Sequence, residues 1–205
     1  MKEFSDILDS DFKNNEVFRT YLEKKLPKFG NGNEEVDAIF KDIAENFCAH
    51  VKTCRTYIGT FYRPGIYSFY ETVNRMGSIT GATPNGRHSG VSLSLNAAPD
   101  HGAIQNGLTQ TLKSITCWEH SLSDNACPMD LQLSGGIPAE VIKYIMEYLE
   151  IYVQTTVANR DDMLKAEKTP EKYKDLVVRV TGFSAQYISL DPVTRKEILS
   201  RSYWG

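Results

Sequence analysis

The 205-residue chain carries 23 Lys and Arg against 26 Asp and Glu, with 41% hydrophobic and 24% charged residues. That is globular composition, long enough for one large or two small domains, and no Lys/Arg-rich block points to nucleic acid or an anionic membrane. The longest apolar runs fall far short of a spanning helix and the opening MKEFSDILDSDF has no signal-peptide apolar region, so the expected location is the cytoplasm.

In chain order, a short helix is expected over Asn15 to Lys25, and the glycines and asparagines of KFGNGN end it. Residues 34 to 52 then place Val36, Ile39, Phe40, Ile43, Phe47 and Val51 at helical spacing, which predicts one buried apolar face. Cys48 in that run reads as a small buried thiol. From Arg55 to Ser78 aromatics dominate around Pro64-Gly65, suggesting strand and buried loop. The turn-rich segment GSITGATPNGRHSG, Gly77 to Gly90, must be a loop or linked turns and offers the best internal boundary. Arg87 and His88 there could cradle an anion, but no strand-loop-helix phosphate pattern accompanies them, so they read as structural.

A helix is expected from Gln110 to Cys117 and a longer one from Ala139 to Val153, with Val141, Ile142, Ile145, Tyr148, Leu149 and Tyr152 as its core stripe. NRDDMLKAEKTPEKYKDL reads as a charged, solvated helical segment interrupted at Pro170. Two short extended runs follow, Leu176 to Val180 and Ala185 to Leu190, and Asp191-Pro192 caps and opens the last helix. The cysteines Cys48, Cys54, Cys117 and Cys127 form neither CxxC pairs nor a disulfide framework, and no Cys/His cluster has zinc-ligand spacing; reduced thiols and no metal are expected.

Gly182 interrupts the two extended runs, in VRVTGFSAQYISL. A bulge or tight reversal needing positive φ explains a lone glycine in such a place. Radical chemistry offers a sharper account. Loss of the α-hydrogen from glycine leaves a planar carbon radical flanked by an amide nitrogen and a carbonyl, with no side chain to clash. Such a radical needs a dry, apolar surround, because oxygen adds to it and breaks the chain. Val178, Val180, Phe183, Tyr187, Ile188 and Leu190 could supply that surround.

RVTGFSA resembles the C-terminal signature of the glycyl radical enzymes, Arg-Val-x-Gly-(Tyr or Phe)-x-Ala. The resemblance extends in family order over nearly the whole chain. EKTPEKYKDLVVRVTGFSA is similar to the approach to the radical loop, TGATPNGRHSGVSLS to the Gly-rich loop before it, NGLTQTLKSIT to the helix that follows, and PKFGNGNEEVDAIFKDI with FYRPGIYSF to the last part of the catalytic barrel domain. The resemblance implies an α/β fold: residues 1–80 as the C-terminal part of a pyruvate formate-lyase-like β/α barrel and 81–205 as a glycine radical domain. It makes Gly182 the radical-storage residue, with Arg179, Val180, Phe183, Ser184 and Ala185 shaping its loop. No bound cofactor is implied; the radical is installed by an activating enzyme that uses S-adenosylmethionine and an iron-sulfur cluster. It then passes to a cysteine on a facing loop, and the thiyl radical attacks substrate.

In the family that cysteine loop lies upstream of the region matched here, and none of Cys48, Cys54, Cys117 or Cys127 matches its position. The resemblance therefore implies a larger partner polypeptide that supplies it, with this chain as the radical-storing section or subunit, from a split gene or a truncated fragment. Two departures bear on substrate. The segment WEHSLSDNACPMDLQLSGGI is short and unusually composed, and Thr156 stands two residues after Gln154 where asparagine is expected. Family reactions cleave C–C, C–N or C–O bonds, as acyltransferases, lyases, dehydratases or decarboxylases. Alternative readings are a spare-part radical protein that repairs a damaged enzyme, or an inactive interaction fragment that keeps Gly182 for backbone reasons.

Overall fold

The computed structural model describes residues 2–133, 138–148, 153–157, 159–180, 183–201 and 203–204. Two short helices, α1 (Lys2–Asp9) and α2 (Glu16–Lys24), lead into the long α3 (Glu34–Thr53). Helix α3 begins where Asn33 accepts the Val36 N–H at 3.1 Å, and Glu34, Glu35 and Asp37 in its first turn suit the helix dipole. Its packed face is Asp37, Phe40, Ala44 and Cys48, set against Trp118, Cys117 and Cys127. The expected apolar stripe thus divides: Phe40 is packed, whereas Ile39, Ile43 and Phe47 are 61%, 63% and 49% exposed. Periodicity reports that a face is apolar, and no described residue covers that part of it. Cys48 is fully buried, as its place in the helix suggested.

The aromatic segment differs from expectation. Its only pairing among the described residues is an isolated bridge between Arg55 and Phe61. Tyr57, Ile58, Phe61, Tyr62 and Phe69 are exposed. From Tyr70 the chain forms a helix, α4 (Tyr70–Ile79), which sequence reading missed because an aromatic-led run with an internal glycine has weak helix propensity. Turns do follow it. Arg87, 8% exposed, donates to the carbonyls of Thr80, Gly81 and Val91, so its guanidinium fastens the loop to itself, in line with the structural reading. His88 Nδ1 lies 3.1 Å from Asp11 Oδ1.

Helix α5 (Gly107–Ile115) is shifted a few residues N-terminal to its expected span. It packs with the strand β1 (Met129–Leu133) and helix α6 (Ala139–Tyr148) through Leu112, Ile115, Met129, Leu131, Leu133 and Ile145. The alternating Met129, Leu131 and Leu133 are why this run forms a strand. The helix expected to reach Val153 does not: Val153 opens β2 (Val153–Val157), which lies parallel to β1 with Met129 opposite Val153. Connecting parallel neighbours takes a crossover, and α6 is in that connection. The stripe residues Leu149 and Tyr152 lie outside the described residues. A short strand β5 (Tyr203–Trp204) pairs with β1 on its other side, giving the parallel order β2-β1-β5.

A second core lies in the C-terminal quarter. Helix α7 (Arg160–Lys168), the antiparallel pair β3 (Val177–Arg179) and β4 (Ser184–Gln186), and helix α8 (Pro192–Ser200) enclose Met163, Ala166, Val178, Val180, Tyr187 and Ile198. The charged α7 segment is amphipathic and not wholly solvated, since Met163 and Ala166 are completely buried. Beyond Gln186 the expected extended run turns into a single 3-10 turn, Tyr187–Ser189. Helix α8 starts as expected, with the Asp191 carboxylate accepting from the N–H groups of Val193 and Thr194 and Pro192 in the first turn.

Candidate functional site

The hairpin β3–β4 is built by alternation. Val178 and Val180 point into the second core, at 1% and 2% exposure, while Val177 between Leu176 and Val178 is 54% exposed. Register follows: Val177 opposite Gln186, Val178 opposite Ala185, Arg179 opposite Ser184. Beyond the last pair, the Val180 N–H donates to the Phe183 carbonyl at 2.9 Å. That bond closes the stem of the hairpin at Val180 and Phe183. Gly182 itself lies outside the described residues.

The residues expected to shape this loop fall at its two stems. Arg179 sets its guanidinium 3.4 Å from Ser184 Oγ across the pair. Val180 is buried, Ala185 is partly buried against the second core, and Ser184 is exposed. Of the proposed apolar surround, Val178, Val180 and Tyr187 are buried and Ile188 and Leu190 pack beside them. Phe183 departs from it: at the hairpin tip it lies outside the cluster and is 54% exposed. Tyr187 is anchored from within, its hydroxyl donating to Glu167 Oε1 at 2.8 Å.

Sequence reading missed an ion pair behind the hairpin. Arg201 and Glu197, 8% and 7% exposed, face each other one turn apart at the end of α8. Nε and Nη2 of Arg201 donate to the two Glu197 oxygens at 3.1 and 2.9 Å. Its outer edge donates from Nη1 to the Arg179 carbonyl at 3.2 Å and from Nη2 to the Val180 carbonyl at 2.8 Å. The available signal was the i, i+4 Glu-to-Arg spacing, which resembles any exposed helix pair. The pair also borders a cavity lined by Leu95, Pro99, His101 and Asp130. Burial pushes the Asp130 carboxyl up, opposed by the Arg201 charge and by Asn96, whose amide donates to it at 2.5 Å.

The four cysteines are elsewhere. Cys48, Cys117 and Cys127 belong to the core around Trp118, and no cysteine is in the cluster holding the hairpin. Burial pushes the Cys127 thiol up to about 11 and raises those of Cys48 and Cys117.

Comparison with known proteins accounts for this arrangement. Residues 93–188 match the family described as Glycine radical, and residues 1–75 match Pyruvate formate lyase-like. The chain belongs to the glycyl radical enzyme family. It is 32% identical over 191 residues to the (2S)-3-sulfopropanediol dehydratase of Klebsiella oxytoca, covering 87% of this chain and 23% of that enzyme. It is 29% identical over 207 residues to the trans-4-hydroxy-L-proline dehydratase of Clostridioides difficile, covering 95% of this chain and 26% of that one. In structure it superposes on the B12-independent glycerol dehydratase from Clostridium butyricum with a TM-score of 0.86 at 32% identity, over 99% of this chain and 27% of that one. The mixed helix-and-strand fold is thus that of the C-terminal part of glycyl radical enzymes. The chain spans about a quarter of the length of these relatives. Among the described residues no helix is long and apolar enough to cross a membrane.

Proposed function

We propose that this chain is the radical-storing section of a glycyl radical enzyme, with the radical held at Gly182. The observation that carries the reading is the closed stem: the Val180 N–H bonded to the Phe183 carbonyl, with Val178, Val180 and Tyr187 buried beneath, at the position of the RVTGFSA signature. The described stem on either side of the signature glycine is thereby an apolar one. Arg179, Val180, Phe183, Ser184 and Ala185 act as the loop's supports. Residues 1–80 and 81–205 are read as the end of the barrel domain and the glycine radical domain.

In this reading an activating enzyme using S-adenosylmethionine removes one α-hydrogen atom from Gly182. A cysteine thiol on a larger partner polypeptide then gives its hydrogen atom to Gly182, and the resulting thiyl radical starts bond cleavage in the substrate. The cysteine is assigned to a partner because Cys48, Cys117 and Cys127 are packed in a core that excludes the hairpin, and hydrogen transfer requires close approach. The dehydratases among the similar proteins favour C–O cleavage over acyl transfer. The open apolar face of α3 supports a need for covering protein, because large exposed apolar patches mark interaction surfaces. The similarity upstream of residue 75 favours this reading over a spare-part radical protein.

The test is X-band electron paramagnetic resonance after anaerobic incubation with the activating enzyme, S-adenosylmethionine and reductant. A doublet from one α-hydrogen is expected, and Gly182→Ala abolishes it. Absence of the doublet, with the partner polypeptide also present, returns Gly182 to the role of a turn residue.

A further inference from the structure

Resting on the radical reading, we infer that Arg201, held by Glu197, is the positioning residue of the Gly182 loop. The guanidinium offers five N–H donors in a rigid planar fork. One edge is used on Glu197, with bonds of 3.1 and 2.9 Å. The other grips two consecutive backbone carbonyls, those of Arg179 at 3.2 Å and Val180 at 2.8 Å. Those carbonyls belong to the two peptide groups that lead directly into Thr181, so the fork fixes the orientation of both planes at the point where the chain leaves β3.

An ordinary hairpin needs no such device. Its own ladder, here closed by the Val180–Phe183 bond, satisfies the stem. Placing a cation among buried apolar groups costs solvation, and a well-formed partner such as Glu197, whose side chain is 5% exposed, only offsets that cost. Both groups are largely shielded from bulk solvent and border the cavity that holds Asp130. The hydrogen bonds that Arg201 makes beyond Glu197 go to the backbone entering the loop. A planar radical delocalised over its flanking amides needs those amides held still and dry, and a bidentate charge-assisted fork orders a backbone better than a neutral bond.

Lysine keeps the charge but is a single point donor, so it holds one carbonyl at most. The test therefore compares Arg201→Lys, Arg201→Gln and the doubly neutral Glu197→Gln/Arg201→Gln, which leaves no unpaired buried charge if the single variant folds poorly. Leu112→Ala, in the other core, serves as a control for general destabilisation. The first readout is the anaerobic decay rate of the doublet per spin formed, which a smaller folded fraction does not alter. The second is amide hydrogen exchange of peptides covering 177–180 and 183–187. Loss of charge-assisted bonds should speed both by about tenfold in Arg201→Gln and in the double variant. Arg201→Lys should be intermediate, and Leu112→Ala should match the unsubstituted chain in decay.

Unchanged hairpin exchange across the series overturns the inference, as does faster exchange with unchanged spin lifetime. A missing doublet in the unsubstituted chain, with the partner polypeptide also present, sinks the radical reading and, with it, the role in radical storage. The exchange data then still decide whether the fork orders the loop, so the two failures are told apart.

Discussion

Substituting neighbouring valines of β3 tests the register on which the site depends. Val178 is 1% exposed and Val177 is 54% exposed, and both stand in the same short strand. Alanine at either position loses the same two methyl groups and the same strand preference, so the difference between the variants isolates burial. Removing two buried methyl groups costs about 1.6 kcal/mol in transfer, and the cavity left behind raises this to about 2–3 kcal/mol. At the half-exposed position the cost should be about 0.5 kcal/mol or less. Urea denaturation followed by far-ultraviolet circular dichroism should show a lower midpoint for Val178→Ala with an unchanged slope. Thermal unfolding should show a melting temperature lower by about 4–12 °C. A slip of one residue would exchange the faces of the strand. Equal costs, or a larger cost for Val177→Ala, would refute the register of β3 with β4.

Gly77→Ala should destabilise the chain by about 1–3 kcal/mol in urea titration although alanine favours helix, because its Cβ would stand 2.5 Å from the Val91 carbonyl oxygen and 2.7 Å from Ser92 Cα; a gain in stability would refute this close packing. The Asp191 carboxyl is held below the usual range chiefly by its bond from the Thr194 side chain, with backbone N–H bonds adding to it. Its contribution is therefore present above about pH 4 and lost as pH falls through the lowered folded value; Asp191→Asn should keep the cap yet flatten that part of the acid titration of stability, and an unchanged titration would count against it. Alkylation at pH 8, read by mass spectrometry, should modify Cys54 first and the fully buried Cys48 last, with Cys127 slowed by a thiol at about 11; equal rates would contradict the packing around Trp118. Light scattering should show association of the isolated chain, reduced in Ile39→Glu/Ile43→Glu, and a monodisperse monomer would argue against an interaction role for the open α3 face.

What the sequence made legible was local. Asp191-Pro192 marks the start of α8 because a cap and its first turn are made by adjacent residues. The extended run before Gly182 shows its alternation within a few residues, and Val178 and Val180 are buried accordingly. What stayed hidden was set by partners far along the chain. Val153 looks helical beside α6, but its neighbour in the sheet is Met129, and parallel pairing leaves no mark on the intervening sequence. The alternation of Met129, Leu131 and Leu133 was a signal for β1, too short to outweigh the turn residues around it. Arg201 and Glu197 are a common helical spacing, and only the folded structure brings them to the carbonyls of Arg179 and Val180.

The two faces of the hairpin bear on how a radical at Gly182 would be protected. One face is closed by this chain itself, where Val178, Val180 and Tyr187 pack against Met163 and Ala166 of α7 and Ile198 of α8. The other carries Val177 and the tip residue Phe183, each 54% exposed. Were a radical held in this loop, Val177 and Phe183 on that face would need cover from outside the described residues to exclude oxygen. The α3 stripe of Ile39, Ile43 and Phe47 poses the same physical problem, apolar surface with no partner to exclude water. A self-sufficient radical protein would have to close both openings from its own residues. Under the proposed function, a larger polypeptide would cover these apolar surfaces. The proposed radical-storing role would thus require a covering protein at both places, and the association and hydrogen-exchange measurements test that requirement.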